Sequence, residues 1–170
     1  MNSSNNKYCL DANVLIQAWQ KYYSPCICPS YWDILNEFGQ KDVLFLPEMV
    51  YEEIIRTDDD LAKWLKSSKI PIRKIDAGVA KCLTKIYEHN PEHKYLVDNT
   101  RQRSLADPWV IAHAMEQKAI VVTKEEKVTA SNSRKIKIPD VCDNMNIKCI
   151  NDFRLVNELG LVFKCEVAKS

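Results

Sequence analysis

The stretch Asp107-Pro108-Trp109-Val110-Ile111-Ala112-His113-Ala114-Met115-Glu116-Gln117-Lys118-Ala119-Ile120-Val121-Val122-Thr123 decides the fold of this chain. Over 108–117 the apolar residues run nearly all round a helix, which places that helix inside the molecule. Residues 119–123 then form a short, continuously apolar strand. Helices alternating with such strands imply a mainly parallel sheet covered on both faces.

The alternation extends outward in both directions. Residues 8–10 are an apolar run ahead of a helix over 13–23, where Val14, Leu15, Ala18, Trp19 and Tyr22 keep helical spacing. A break at Pro25 and Pro29 precedes a second helix over 31–38, closed by Gly39. A strand is expected over 43–46 and a helix over 48–56. Asp58, Asp59 and Asp60 supply capping candidates for a helix reaching about residue 66. Residues 70–75 read as a short strand, 77–88 as a helix ending at Asn90-Pro91, and 95–103 as a helix or loop. Past the deciding stretch, a turn at Ile138-Pro139-Asp140 precedes a strand over 147–150 and a helix over 152–159. The tail over 161–170, with Val162, Phe163 and Val167, reads as an extra strand or a docking segment. The central strands are 8–10, 43–46, 119–122 and 147–150, and the expected class is α/β.

Composition narrows the functional classes. At 170 residues the chain is one domain's length, 1–170, with no repeats. Its 46% hydrophobic and 28% charged residues exclude a disordered chain, a collagen-like repeat and a coiled-coil rod. No apolar run approaches the ~18 residues of a membrane span, and residues 1–7 are polar, so a cytoplasmic location without membrane contact is expected. Three scattered glycines, Gly39, Gly78 and Gly160, cannot assemble a P-loop or a dinucleotide fingerprint. Seven cysteines without a CxxC pair argue for free thiols. His89 and His93 have helical spacing, but Pro91 between them speaks against a zinc site. The net charge of +1 announces no nucleic-acid partner. Residues 118–137 nevertheless hold six basic residues against Glu125 and Glu126, with Arg101 and Arg103 upstream. Solvated surface is the favoured reading of that stretch.

In open parallel sheets, ligands bind beyond the carboxyl ends of the strands. Four acidic positions fall there: Asp11 after the first strand, Glu52 or Glu53 in the helix after the second, Asp107 opening the buried helix, and Glu125 after 119–123. Glu53 lies beside the apolar stripe of its helix, whereas Glu52 lies opposite it, so Glu53 is preferred. Clustered carboxylates repel unless a cation joins them, and hard divalent cations take oxygen ligands. A cation so held can polarise a phosphodiester and activate water. Asp11 and Asp107 also suit helix N-caps, worth about 1 kcal/mol each, a role compatible with ligation.

The motifs Leu-Asp-Ala-Asn-Val-Leu-Ile at 10–16, Tyr-Glu-Glu-Ile at 51–54, Ser-Leu-Ala-Asp-Pro-Trp-Val-Ile-Ala-His-Ala at 104–114 and Val-Val-Thr-Lys-Glu at 121–125 resemble those of PIN-domain ribonucleases. The likeness is nearest to a PIN-like prokaryotic group related to VapC toxins, which Ile-Pro-Asp-Val-Cys at 138–142 also fits, and it covers about 8–153. It implies a three-layer α/β/α fold and an endoribonuclease site dependent on Mg²⁺ or Mn²⁺. By position Asp11, Glu53 and Asp107 match the acidic residues of that site. Glu125 stands where such proteins more often carry Asp, and Asn13 and Ser104 match supporting polar positions. The resemblance further implies an RNA substrate, phosphate contacts from the basic residues of 118–137, and the role of a toxin restrained by a protein antitoxin. Exposed apolar residues between Tyr22 and Trp32 suit that partner or a homodimer.

Two other readings compete. A haloacid-dehalogenase-type phosphatase with Asp11 as nucleophile wants an acid two residues on, where this chain has Asn13. A non-catalytic PIN-like module that binds RNA or protein is compatible with Glu125 and the modest net charge.

Overall fold

The computed structural model describes residues 6–97, 105–129 and 135–167. Among these residues, five short strands form one parallel sheet: β1 (Tyr8–Leu10), β2 (Leu44–Pro47), β3 (Ile72–Arg73), β4 (Ile120–Val122) and β5 (Cys149–Ile150), in the order β3-β2-β1-β4-β5. Tyr8 faces Leu44 on one side and Ile120 on the other, and Val121 faces Cys149. All residues of β1, β2 and β4 are buried, which is why these strands read as unbroken apolar runs.

Among the described residues, eight α-helices cover the sheet. They are α1 (Ala12–Gln17), α2 (Pro29–Gln40), α3 (Glu48–Ile55), α4 (Asp60–Ser67), α5 (Ala77–His89), α6 (Asp107–Gln117), α7 (Ile138–Asn144) and α8 (Asp152–Glu158). The chain steps from β1 to β2 to β3 in one direction, then crosses back to β4 and β5 in the other. Right-handed crossovers therefore put α1 to α4 on one face and α5 to α7 on the opposite face. Accordingly α6 lies across β1, β2 and β4 with α5 and α7 beside it, while α2 and α3 pack on β2. This is the three-layer α/β/α architecture expected, and α6 is the buried helix predicted over 108–117, with Val110, Ile111, Ala112 and Ala114 out of solvent. Among the described residues, no helix is long and apolar enough to cross a membrane.

Several boundaries differ from the sequence reading, each for a local reason. Gly39 does not close the second helix but lies inside α2, because a Cβ there would come within 2.7 Å of Ile70 Cα. Its lack of a side chain serves a close backbone approach. Ile138-Pro139-Asp140 is the first turn of α7: Pro139 needs no N–H there, and the Asp140 carboxylate accepts from Lys137 N–H at 2.9 Å. The first helix is α-helical only to Gln17. It continues as a π-helical turn over Ala18–Tyr22, closed by Tyr23 N–H donating to Ala18 O at 2.8 Å. Residues 91–96 form a 3₁₀ turn, and 98–103 of the expected helix or loop lie outside the described residues. The tail over 161–167 has no strand; Phe163 stacks on Tyr23 at 5.3 Å, and 168–170 are outside the described residues.

His93 is a core residue, bonded through Nδ1 to Ile86 O at 2.7 Å and through Nε2 to Asn144 at 3.1 Å. All seven cysteines are free thiols, as expected.

Candidate active site at the carboxyl edge

Strand order reverses between β1 and β4, neighbours whose connections leave to opposite faces. A crevice opens at the carboxyl ends of such a strand pair. Asp11 follows β1 and residues 123–125 follow β4, so the topology itself brings them together. The ladder continues one step past the strands, with Asp11 N–H donating to Val122 O at 3.0 Å and Thr123 N–H to Ile150 O at 3.0 Å.

Asp11 is only 4% exposed. It precedes α1 but its side chain makes no cap bond, so the simple N-cap reading does not describe it. Its Oδ2 instead accepts from the Thr123 hydroxyl at 2.7 Å. Burial pushes its pKa up to about 7, and the charges of Glu125 and Glu53 add to the rise, while the Thr123 hydroxyl and Ala12 N–H pull it back.

Glu53 therefore belongs to the electrostatic neighbourhood of Asp11. Its own carboxyl is raised by partial desolvation, with Arg56 opposing, even though much of the side chain is exposed. Asp107 is the first residue of α6 and is buried at 9% exposure, and Pro108 follows it in the first turn. The flanking position of the helix is taken by Ala106, so Asp107 stands one residue inside α6 rather than at the N-cap position the sequence allowed.

Glu125 is half-buried, and its Oε2 accepts from Ile138 N–H at 3.0 Å, the amide that opens α7. The hydrogen bonds of Asn13 run to the turn after β4. They clamp the 123–125 turn: Oδ1 accepts from Lys124 N–H at 2.8 Å, and Nδ2 donates to Thr123 Oγ1 at 3.3 Å. Ser104 lies outside the described residues.

Two features escaped the sequence reading. Thr123 is 1% exposed and is the hub of the turn, giving its proton to Asp11 and accepting Glu125 N–H at 3.1 Å. Its only sequence signal is a hydroxyl at a strand end two residues before an acid. Asp152 is the second: fully buried at the start of α8, it holds Lys124 Nζ at 2.8 Å. An acid just past the strand 149–150 repeats the Asp11 pattern and could have been noticed.

Of the cations expected over 118–137 to contact phosphate, Lys118, Lys124 and Lys127 have defined places among the described residues. Lys118 caps α6 at the amino end of β4, opposite the carboxyl edge. Lys124 is committed to Asp152, and Lys127 pairs with Asp143 at the surface. Arg101, Arg103 and Arg134 lie outside the described residues.

As donors for a hard cation these carboxylates fit in kind: all are oxygens, two are buried, and those of Asp11 and Glu53 are raised by a setting a positive charge would relieve. As placed, no group of three or more His, Cys, Asp or Glu among the described residues is arranged to hold a metal.

No curated protein matches the chain in sequence. A crystal structure of VapBC2 from Rickettsia felis, bound to a DNA fragment from its promoter, shares the fold with a TM-score of 0.55. The match has 15% sequence identity and covers 85% of this chain and 97% of that one. At that identity the likeness is one of architecture, and it agrees with the PIN-like fold implied by the motifs. Residues 8–163 match the family described as a domain of unknown function, DUF4411, and the chain, PIN-like in its fold, belongs to that family.

Proposed function

We propose that the protein is a Mg²⁺- or Mn²⁺-dependent endoribonuclease acting at the carboxyl edge, and the toxin of a toxin–antitoxin pair. The observation that carries this reading is the buried Asp11 carboxyl at the strand switch point, held near pKa 7 and coupled to Glu125 and Glu53. A cation there favours the ionised carboxylates and supplies Lewis-acid activation of water and phosphodiester. Asp11 and Asp107 would hold it, with Glu53 and Glu125 reaching the site by side-chain rotation. Asn13 and Thr123 fix the orientation of Asp11, the task of groups behind a metal ligand. The toxin role rests on the PIN-like architecture shared with a VapBC structure, and it implies a protein antitoxin as partner.

A non-catalytic PIN-like module that binds RNA or protein is the second reading. It is favoured by one observation, the commitment of Glu125 to the first amide of α7.

The deciding experiment is cleavage of RNA by wild type and Asp107→Asn with Mg²⁺ or Mn²⁺ titrated in. Cleavage that needs metal, stops in chelator and falls about 100-fold or more in the variant is expected, by analogy with losses around metal centres. Absence of both metal binding and cleavage refutes the nuclease reading. Slowed growth on wild-type expression, relieved by Asp11→Asn, tests the toxin role.

A further inference from the structure

Lys124 does more than pair with Asp152. Its ammonium lies 4.3 Å from the centre of the Tyr22 ring and 4.2 Å from that of Phe153, and the two rings meet edge to face at 5.5 Å. The ion pair beneath is buried, with the Lys124 side chain 10% exposed and Asp152 at 0%. The rings above it are open to solvent, Tyr22 at 45% and Phe153 at 46%. Two half-exposed aromatic rings thus pack on a cation whose backbone neighbour, Thr123, bonds Asp11.

The local backbone also marks the place. Tyr22 ends the π-helical turn Ala18–Tyr22, a rare conformation that is frequent at functional sites. Beside it opens a cavity of about 550 Å³, lined among others by Tyr22, Tyr23, Ile27, Pro29 and Phe163. That volume lies in the range of small-ligand sites. Because Lys124 is already neutralised by Asp152, this surface offers ring faces rather than net charge, which suits a base more than a phosphate.

We infer that Tyr22 and Phe153 form a stacking platform for an unpaired base of the RNA next to the carboxylate edge. This rests on the ribonuclease reading above and names where its single-stranded substrate is gripped. Aromatic rings bind single strands with little sequence preference because every base has a π-face. Preorganisation by the buried ion pair keeps the entropic cost of stacking low.

The test uses the full chain with Asp11→Asn, which keeps RNA intact, and fluorescence anisotropy with a labelled single-stranded RNA. An abasic strand of the same length carries the same phosphates without bases. Tyr22→Ala is expected to weaken RNA binding about five-fold or more while leaving the abasic strand unchanged, and Tyr22→Phe restores the RNA affinity. Equal weakening for both strands, or none for RNA, overturns the platform. So does a concentration-dependent dimer, seen by sedimentation in the wild type and lost in Tyr22→Ala, since the rings then serve a second copy. Phe153→Ala serves as the second variant if Tyr22→Ala unfolds by circular dichroism. Metal-dependent cleavage lost in Asp107→Asn, together with an unaltered Tyr22→Ala affinity, sinks the platform alone. No cleavage and no RNA binding by wild type sinks the underlying reading and the platform with it.

Discussion

Replacing Asp11 by Asn should make the protein more stable at alkaline pH, the reverse of what removing a buried polar contact usually does. The substitution keeps the size of the side chain and an acceptor for the Thr123 hydroxyl, and removes only the ionisation. In the fold the Asp11 carboxyl titrates near 7, about three units above an unfolded aspartate. Between about pH 4 and 7 the folded state thus keeps a proton that the unfolded state has released. Stability accordingly falls as pH rises through that window and levels off above 7. Three units amount to about 4 kcal/mol by pH 8, and at 4% exposure solvent screens little of it. Urea unfolding of wild type and Asp11→Asn at pH 4, 6 and 8 reads the difference directly, because titrations common to both proteins cancel. Expected is a gap below about 1 kcal/mol at pH 4 that widens to as much as about 4 kcal/mol in favour of the variant at pH 8. Mg²⁺ at pH 8 should close the gap by stabilising wild type alone. A gap independent of pH, or a variant weaker than wild type at pH 8, refutes the electrostatic account of the site.

Thr123→Val removes the donor at 2.7 Å from Asp11 Oδ2. The Asp11 pKa then rises further and the falling limb of the same stability curve moves to higher pH; an unmoved limb counts against the role given to Thr123. Lys124→Met leaves the fully buried Asp152 carboxylate without its cation and should cost about 3–5 kcal/mol in urea unfolding. Adding Asp152→Leu should recover part of that loss, and strict additivity of the two substitutions would speak against a coupled pair. Gly39→Ala adds a Cβ within 2.7 Å of the Ile70 backbone and should destabilise by about 1–3 kcal/mol, although alanine is the better helix former by ~1 kcal/mol. A neutral or stabilised variant contradicts the close-approach reading.

Most of the sheet was legible because its signals are local. Unbroken apolar runs such as Ile120–Val122 mark elements buried all round, and the apolar helix before it has the same cause. Gly39 and the Ile138-Pro139 pair were misread because each residue type has two uses that sequence cannot separate. A glycine ends a helix or admits a neighbouring backbone; a proline makes a turn or begins a helix. Glu53, preferred over Glu52 from helical phase, is the one of the two whose charge reaches Asp11, because helical phase is a local property too. Thr123 was missed because a hydroxyl at a strand end becomes a hub only when another strand end arrives beside it.

By itself the sequence determined the order of the strands and of every α-helix but α7, and the placement of acids at strand ends, since these follow from patterns spanning a few residues. The tertiary structure alone decided what those acids are chemically. Asp11 meets Thr123 across 112 positions of chain, and Lys124 meets Asp152 across 28, through parallel strand register and the reversal at β1 and β4. Burial and the neighbouring charges of Glu125 and Glu53 then set the proton affinity of Asp11. Lys124, read along the chain as part of a basic surface, is withdrawn by Asp152 into a buried pair. Proton affinity and charge availability depend on what surrounds a side chain in space, and that environment exists only once the sheet has closed around it.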